Sequence, residues 1–346
     1  MKQEAKLNDP QRPFLTIGIF TYKRSKRLEF LLQKLSEQVG LCSYDWEILV
    51  SDNCSRDGTK ELTAAFAKRL HNIRYFEQTE NVGPDLNFLG LIEKTRGRYL
   101  WPLPDDDWVV DQHSVKKIVD YIKNSPVSPA FVSLNGKIGD IETHDVQSGS
   151  VLPITGPIIM IDGRDILAFR NDYILWGCAY LIYRCDTLSH PYVEQYKHTK
   201  YLSPLVLSYA ACSQGPALLI GEPLIVYGKG DQNDWRLDGP RLICFDAIDL
   251  LQAAVKELNY PTVYLRNAIS HRKLVMKYIM PSSFMVFQRY GVTWQRMAKY
   301  YGWSFVIRKV LLWFPIAIPH MLLYPYRKQI KEAVKRLRQY FCRGSN

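Results

Sequence analysis

None of the seven cysteines falls in a CxxC pair; they stand scattered at Cys42, Cys54, Cys178, Cys185, Cys212, Cys244 and Cys342. This spacing argues against a zinc site, and an odd number of thiols in 346 residues against a disulfide framework. Ordinary thiols in a reducing compartment are expected. No glycine-rich loop of the GxGxxG or GxxxxGKS/T kind is present, so a bound nucleotide must have its phosphates neutralised by other means. No apolar run reaches the roughly 18 residues of a spanning helix. The nearest approach, Val310–Tyr326, is interrupted by Pro315, Pro319, His320 and Pro325. The first residues, MKQEAKLNDPQRP, lack the apolar core of a signal peptide, so a cytoplasmic location is expected. No internal repeat or low-complexity segment is visible.

Acids are scarce in one part of the chain. Residues 261–346 hold 16 Lys and Arg against a single acid, Glu332, leaving 29 basic and 33 acidic residues in 1–260. The net charge of +11 is therefore a slightly acidic body joined to a strongly basic end. This asymmetry argues against one nucleic-acid-coating surface. With 47% hydrophobic, 13% aromatic and 23% charged residues, the chain can bury a substantial core, which excludes disorder as the whole description. Its length allows one large domain or two ordinary ones.

What is present begins with an alternation of periods. Phe14–Phe20 reads as a strand, and Ser25–Gln38 places Leu28, Leu31, Leu32 and Leu35 at helical spacing. Trp46–Ser51 is a second strand, with a helix from about Asp57 to Leu70. Ile73–Phe76, Leu86–Lys94 and Arg98–Leu103 continue the pattern. Strands separated by such helices imply βαβ crossovers and a parallel sheet flanked by helices, an α/β fold. Residues 135–160 suggest an inserted loop or hairpin. Cys178–Tyr183 and Ala217–Tyr227 read as further strands, the second broken at Glu222-Pro223, with a helical segment at Lys200–Cys212 between them. Past about Gly239 helix-like runs dominate.

Ligands in parallel α/β sheets bind beyond the carboxyl ends of strands. The loops there are Thr21-Tyr22-Lys23-Arg24, Ser51 to Thr59 (SDNCSRDGT), Asn81 to Phe88 (NVGPDLNF) and Pro104 to Trp108 (PDDDW). Asp105, Asp106 and Asp107 are three consecutive carboxylates whose repulsion a hard divalent cation would relieve, bridging to phosphates at the same time. A solvated acidic turn is the alternative use of such a run. Asp52 at a strand terminus is placed to accept hydrogen bonds from a base or ribose, or to cap the following turn.

In this order, TYKR, SDNCSRDGT, NVGPDLNF and LPDDDW resemble the nucleotide-sugar-binding half of family 2 glycosyltransferases, which have the GT-A fold. The resemblance spans about residues 14–110. The GPDLNF form and the later GEPLIVYGKGDQND are similar to the abequosyltransferase-like branch that adds sugars in bacterial O-antigen assembly. The resemblance implies that Thr21 and Arg24 line the nucleotide pocket, that Asp52 contacts the base, and that Asn81 and Gly83 shape the wall near the ribose. It implies Mg²⁺ or Mn²⁺ held by Asp106 and Asp107, with Asp105 and Asp106 also facing the nucleotide-sugar.

Such enzymes generally invert, with a side chain removing the acceptor's proton. Many carry an ED pair before a helix for this purpose. The corresponding stretch here, Tyr196 to Leu202, has none. His198 stands in its place, with Asp231 and Asp234 of GDQND as rivals. Tyr173, Trp176 and Tyr180 are candidates for an acceptor pocket or for core packing.

Arg327–Phe341 sets Ile330, Val334, Leu337 and Phe341 on one helical face and Lys328, Lys331, Lys335, Arg336 and Arg338 on the other. Such a helix suits an anionic membrane surface, or packs ordinarily with a solvated basic face. The expected organisation is a GT-A domain at 1–240, with 14–110 the nucleotide-sugar half and 111–240 the acceptor half. Residues 241–346 would form a helical, basic, membrane-associating region. The leading expectation is a metal-dependent glycosyltransferase using a nucleotide-sugar and a lipid-linked saccharide, peripheral on the cytoplasmic face of the inner membrane, with no nucleic acid involved. A nucleotidyltransferase and a non-catalytic nucleotide-sugar-binding scaffold are the alternatives.

Overall fold

The computed structural model describes residues 12–42, 45–70, 72–169, 177–199, 201–229, 241–278 and 294–307. Asp231, Asp234, Tyr173, Trp176 and the basic segment 327–341 lie outside the described residues. The chain divides into two compact units: Met1–Gln232 with Asp249–Leu265, and Asn233–Ile248 with Arg266–Asn346.

In the first unit, strands β1 (Leu15–Thr21), β2 (Trp46–Asp52), β3 (Ile73–Glu77) and β4 (Tyr99–Pro104) pair in parallel in the order β3-β2-β1-β4. Helices α1 (Ser25–Ser36), α2 (Thr59–Ala67) and α3 (Pro84–Lys94) make the crossovers. β2 is buried at every position and β1 at all but one, which is why both read as largely apolar runs without the alternation of a half-exposed strand. α1 buries Leu28, Leu31, Leu32 and Leu35 completely, the stripe that its spacing predicts.

Beyond β4 the sheet is mixed. β5 (Trp108–Val109), β6 (Phe131–Asp140), β7 (Pro157–Met160), β8 (Leu181–Arg184) and β9 (Ala217–Lys229) extend it as β4-β8-β6-β9-β5, with β7 also on β9. β6 pairs with β9 in parallel, whereas the β4–β8, β6–β8, β5–β9 and β7–β9 pairs are antiparallel. The parallel pairing expected for most of the sheet therefore belongs to its first four strands and the β6–β9 pair. β5 follows β4 with no crossover helix between them, and a strand reached that way is free to pair antiparallel, here on β9.

Two expectations needed tertiary contacts to resolve. The region from residue 135 is not all loop: β6 runs through it to Asp140. β9 is not ended by Glu222-Pro223, because the β6–β9 ladder shifts register around Asn135 and accommodates the proline at that irregularity. The buried Asn135 amide donates to Leu152 O at 2.9 Å and Gly221 O at 2.7 Å, replacing ladder bonds that the bulge removes.

Helix α4 (Ser114–Lys123) packs through Val115, Ile118, Val119 and Ile122. After the short α5 (Ile166–Phe169) and α6 (Pro191–Tyr196) comes α7 (Ser203–Cys212), buried at all ten positions. The helical character expected past Gly239 is seen in α8 (Ala247–Glu257), α9 (Thr262–Tyr278) and α10 (Trp294–Tyr301). Within the second unit, Asp246 pairs with Arg296 at 2.8 Å and Arg241 at 3.5 Å. Among the described residues no helix is long and apolar enough to cross a membrane.

Candidate active site

Parallel register decides what meets at the sheet's carboxyl edge. Thr21 aligns with Asp52, Phe20 with Pro104, and Asp52 with Glu77, so the loops after β1, β2, β3 and β4 leave one edge side by side. Thr21 Oγ1 donates to Asp105 Oδ2 at 2.6 Å. Arg24 Nη1 donates to Asp105 Oδ1 at 3.1 Å and to Asp106 Oδ2 at 3.4 Å. Asp107 Oδ1 accepts from the Gly228 amide at 2.8 Å.

The three acids are therefore held differently. Asp105 and Asp107 are buried, whereas the Asp106 side chain is 17% exposed. Burial, and then the neighbouring Asp106 charge, push the Asp105 carboxyl up to about 6 against the opposing pull of Arg24 and Thr21. The same two causes push Asp107 well above the usual carboxylate range. A divalent cation fits this donor set by charge and by oxygen chemistry. Among the described residues no three His, Cys, Asp or Glu side chains form a ready-made metal cage. A site of one or two carboxylates completed by phosphate oxygens and water needs none.

The SDNCSRDGT loop is built from its own polar groups. Asp52, 1% exposed, accepts from Ser55 N at 3.0 Å and from Ser55 Oγ through Oδ1, and from Tyr75 Oη at 2.7 Å through Oδ2. Burial and the Asp52 charge push the Tyr75 hydroxyl up, so it stays protonated as a donor. Ser55 Oγ accepts from Lys23 N at 2.9 Å, and Asp57 accepts from Ser25 N at 3.1 Å and Thr59 Oγ1 at 2.6 Å. These bonds tie the β1 and β2 loops together, across left-handed backbone at Lys23, Cys54 and Arg56.

The NVGPDLNF loop joins the same frame. Asn81 Oδ1 accepts from Asn53 Nδ2 at 2.8 Å and from Gly83 N at 3.0 Å, while Asn53 Oδ1 accepts from Val82 N at 2.9 Å. Gly83 precedes α3 at φ 86° and ψ 166°, a conformation open to glycine alone. Asn87, buried in α3, accepts from Ser51 Oγ at 2.7 Å and donates to Ser51 O at 3.1 Å and Thr21 O at 3.4 Å, bracing the ends of β1 and β2.

His198 is exposed in the turn after α6, on the approach to α7. Tyr180 is buried and stacks on Tyr227, with centroids 6.4 Å apart.

Asn87, Tyr75 and Gly228 are the site residues that sequence reasoning missed. Asn87 left a faint signal, an amide among apolar residues on a helix. Tyr75 and Gly228 left none, because their roles depend on strand pairing. A Cβ at Gly228 would lie 1.9 Å from the Asp106 carbonyl oxygen, so β9 can pass the acid triplet at this distance only without a side chain.

A mixed sheet whose parallel half presents these loops and acids at its carboxyl edge is the GT-A architecture of a glycosyltransferase. Residues 16–182, just under half of the chain, match the profile described as glycosyl transferase family 2, so this segment is a family 2 glycosyltransferase domain. Abequosyltransferase RfbV of Salmonella typhimurium is 38% identical over 94 residues, 27% of this chain and 28% of that protein. The uncharacterized glycosyltransferase MG025 of Mycoplasma genitalium is 28% identical over 123 residues, 35% of this chain and 41% of that protein. The aligned segments thus span less than half of both relatives. In solved structures, S. aureus TarS 1-349 in complex with UDP-GlcNAc superposes with a TM-score of 0.57 at 12% identity, covering 83% of this chain and 78% of that one. The same protein with UDP gives 0.56 at 15% identity, covering 75% and 70%. At these identities the likeness is one of fold.

Proposed function

We propose that the chain transfers a sugar, with inversion, from a nucleotide-sugar to a lipid-linked saccharide during assembly of a bacterial cell-surface polysaccharide. The observation that carries this reading is the acid triplet at the carboxyl edge, with Asp105 fixed by Thr21 and Arg24 and Asp106 the most exposed of the three. The TarS structures with UDP and UDP-GlcNAc and the abequosyltransferase relative support a nucleotide-sugar donor and an O-antigen-like product.

Asp106 and Asp107 would hold Mg²⁺ or Mn²⁺, which when bound neutralises the donor's diphosphate and stabilises it as a leaving group. Arg24, already paired with Asp105 and Asp106, adds positive charge on the same side. Asp52 lies beneath the base site with its orientation set by Ser55 and Tyr75, and its remaining acceptor capacity suits a base N–H. Asn81 and Gly83 form the wall near the ribose. His198 takes the acceptor's proton, Asp231 and Asp234 being the rivals for that role. The basic end holds the protein at the cytoplasmic face of the inner membrane, where a lipid-linked acceptor would be presented.

A thermal-shift panel of nucleoside diphosphates and nucleotide-sugars with and without Mn²⁺ tests the reading. A selective, metal-dependent rise in melting temperature is expected. No shift with any nucleotide would overturn it, and a shift with nucleoside triphosphates alone would favour nucleotidyl transfer.

A further inference from the structure

Asp85 sits in the first turn of α3, where an acid ordinarily serves its own helix N-terminus. Here its carboxylate reaches across the fold. Oδ1 and Oδ2 accept from the Tyr201 amide at 2.9 and 3.0 Å, and Oδ1 from Ser203 Oγ at 3.3 Å, partners 116 and 118 positions away. Tyr201 has φ 59°, a left-handed conformation that costs a non-glycine residue on the order of 1 kcal/mol. An anionic acceptor aimed at that amide offsets the cost.

The turn so held is the one between α6 and α7. Ser203 Oγ also reaches Lys197 O at 3.1 Å, and Leu202 between the two anchored residues is completely buried. His198 belongs to this turn. At its other end Asp85 comes two residues after Gly83, just past the loop that Asn53 and Asn81 tie to β2. Burial, then the Asp107 charge and more weakly the Asp85 charge, push the Cys178 thiol up.

We propose that Asp85 is a positioning residue that locks the 197–203 turn to the donor-side loop 81–85, so that nucleotide binding at one loop orders the other. The proposal rests on the glycosyl-transfer reading for its consequence: a misplaced turn loses transfer rate through poor alignment of the acceptor. The clamp itself rests on the hydrogen bonds.

Amide hydrogen exchange on the full chain tests it, comparing wild type with Asp85→Ala and Asp85→Asn, each with and without UDP and Mn²⁺. Exchange in residues 197–203 should quicken about tenfold or more in Asp85→Ala while β1 and β2 stay protected. Asp85→Asn keeps an acceptor oxygen and should stay within about threefold of wild type. UDP with Mn²⁺ should slow the turn in wild type and leave it unchanged in Asp85→Ala. Wild-type exchange in the Ala variant, or equal slowing by UDP in both, would overturn the clamp. Should Asp85→Ala loosen the whole domain, Asp85→Asn decides: a folded Asn variant with a turn tenfold faster refutes the rescue. A wild type that ignores every nucleoside diphosphate counts against glycosyl transfer, while the nucleotide-free comparison still settles whether Asp85 holds the turn.

Discussion

Thr21 Oγ1 lies 2.6 Å from Asp105 Oδ2, joining the end of β1 to the residue that follows β4. One hydroxyl thus commits the first of three acids to the protein, with Arg24 taking its other oxygen at 3.1 Å. Asp107 is buried against the Gly228 amide, and Asp106, also within reach of Arg24, keeps the most exposed side chain of the three.

Removing that hydroxyl should be costly. Thr21→Val leaves the buried Asp105 with one donor fewer and should lower stability by about 1–3 kcal/mol. Chemical denaturation measures it, and Thr21→Ser, which keeps the donor, should recover most of the loss. An unchanged midpoint in Thr21→Val would show that the contact contributes nothing.

Asp107→Asn separates charge from shape. The amide oxygen still accepts from Gly228 N, so the fold should persist. Loss of a buried anion beside Asp106 should leave the metal-free protein at least as stable as wild type. The Mn²⁺-dependent part of any nucleotide-induced thermal shift should vanish. A full metal-dependent response in this variant would remove Asp107 from the metal site.

Gly228→Ala probes the close passage of β9. Its Cβ would lie 1.9 Å from the Asp106 carbonyl oxygen, so strand or triplet must move. A destabilisation of about 1–3 kcal/mol is expected from overpacking, together with weakened metal-dependent nucleotide binding. Wild-type melting and binding would mean that the backbone yields more readily than its packing suggests.

Reversing charge in the basic end tests the membrane assignment without shortening the chain. Replacing Lys328, Lys331 and Lys335 by Glu in the full-length protein should abolish sedimentation with phosphatidylglycerol vesicles. Each lysine near such a surface is worth about 1 kcal/mol. Binding to neutral phosphatidylcholine vesicles should be weak for both proteins. Retained binding to the anionic vesicles would assign these lysines to a solvated face.

Part of the site was legible because its signals are local. β1 and β2 announce themselves as apolar runs because both faces of that half of the sheet are covered. The acids of PDDDW stand together in the chain, so their repulsion is visible without coordinates. Other parts carry no local signal. Glu222-Pro223 reads as a strand end until Asn135, far earlier in sequence, supplies the bonds that the ladder lacks.

The sequence by itself determined the α/β class, the four polar loops and the chemistry of the acid triplet, since periodicity and residue type act over a few neighbouring positions. Only the tertiary structure decided that Asp105 and Asp107 are buried against Thr21, Arg24 and Gly228 while Asp106 stays the most exposed of the three. It alone showed that Ser55 and Tyr75 orient Asp52 and that Asp85 holds a turn more than a hundred residues away. Hydrogen bonds are short and directional, and strand register, which sums the packing of the whole sheet, sets which donors come within reach of which acceptors.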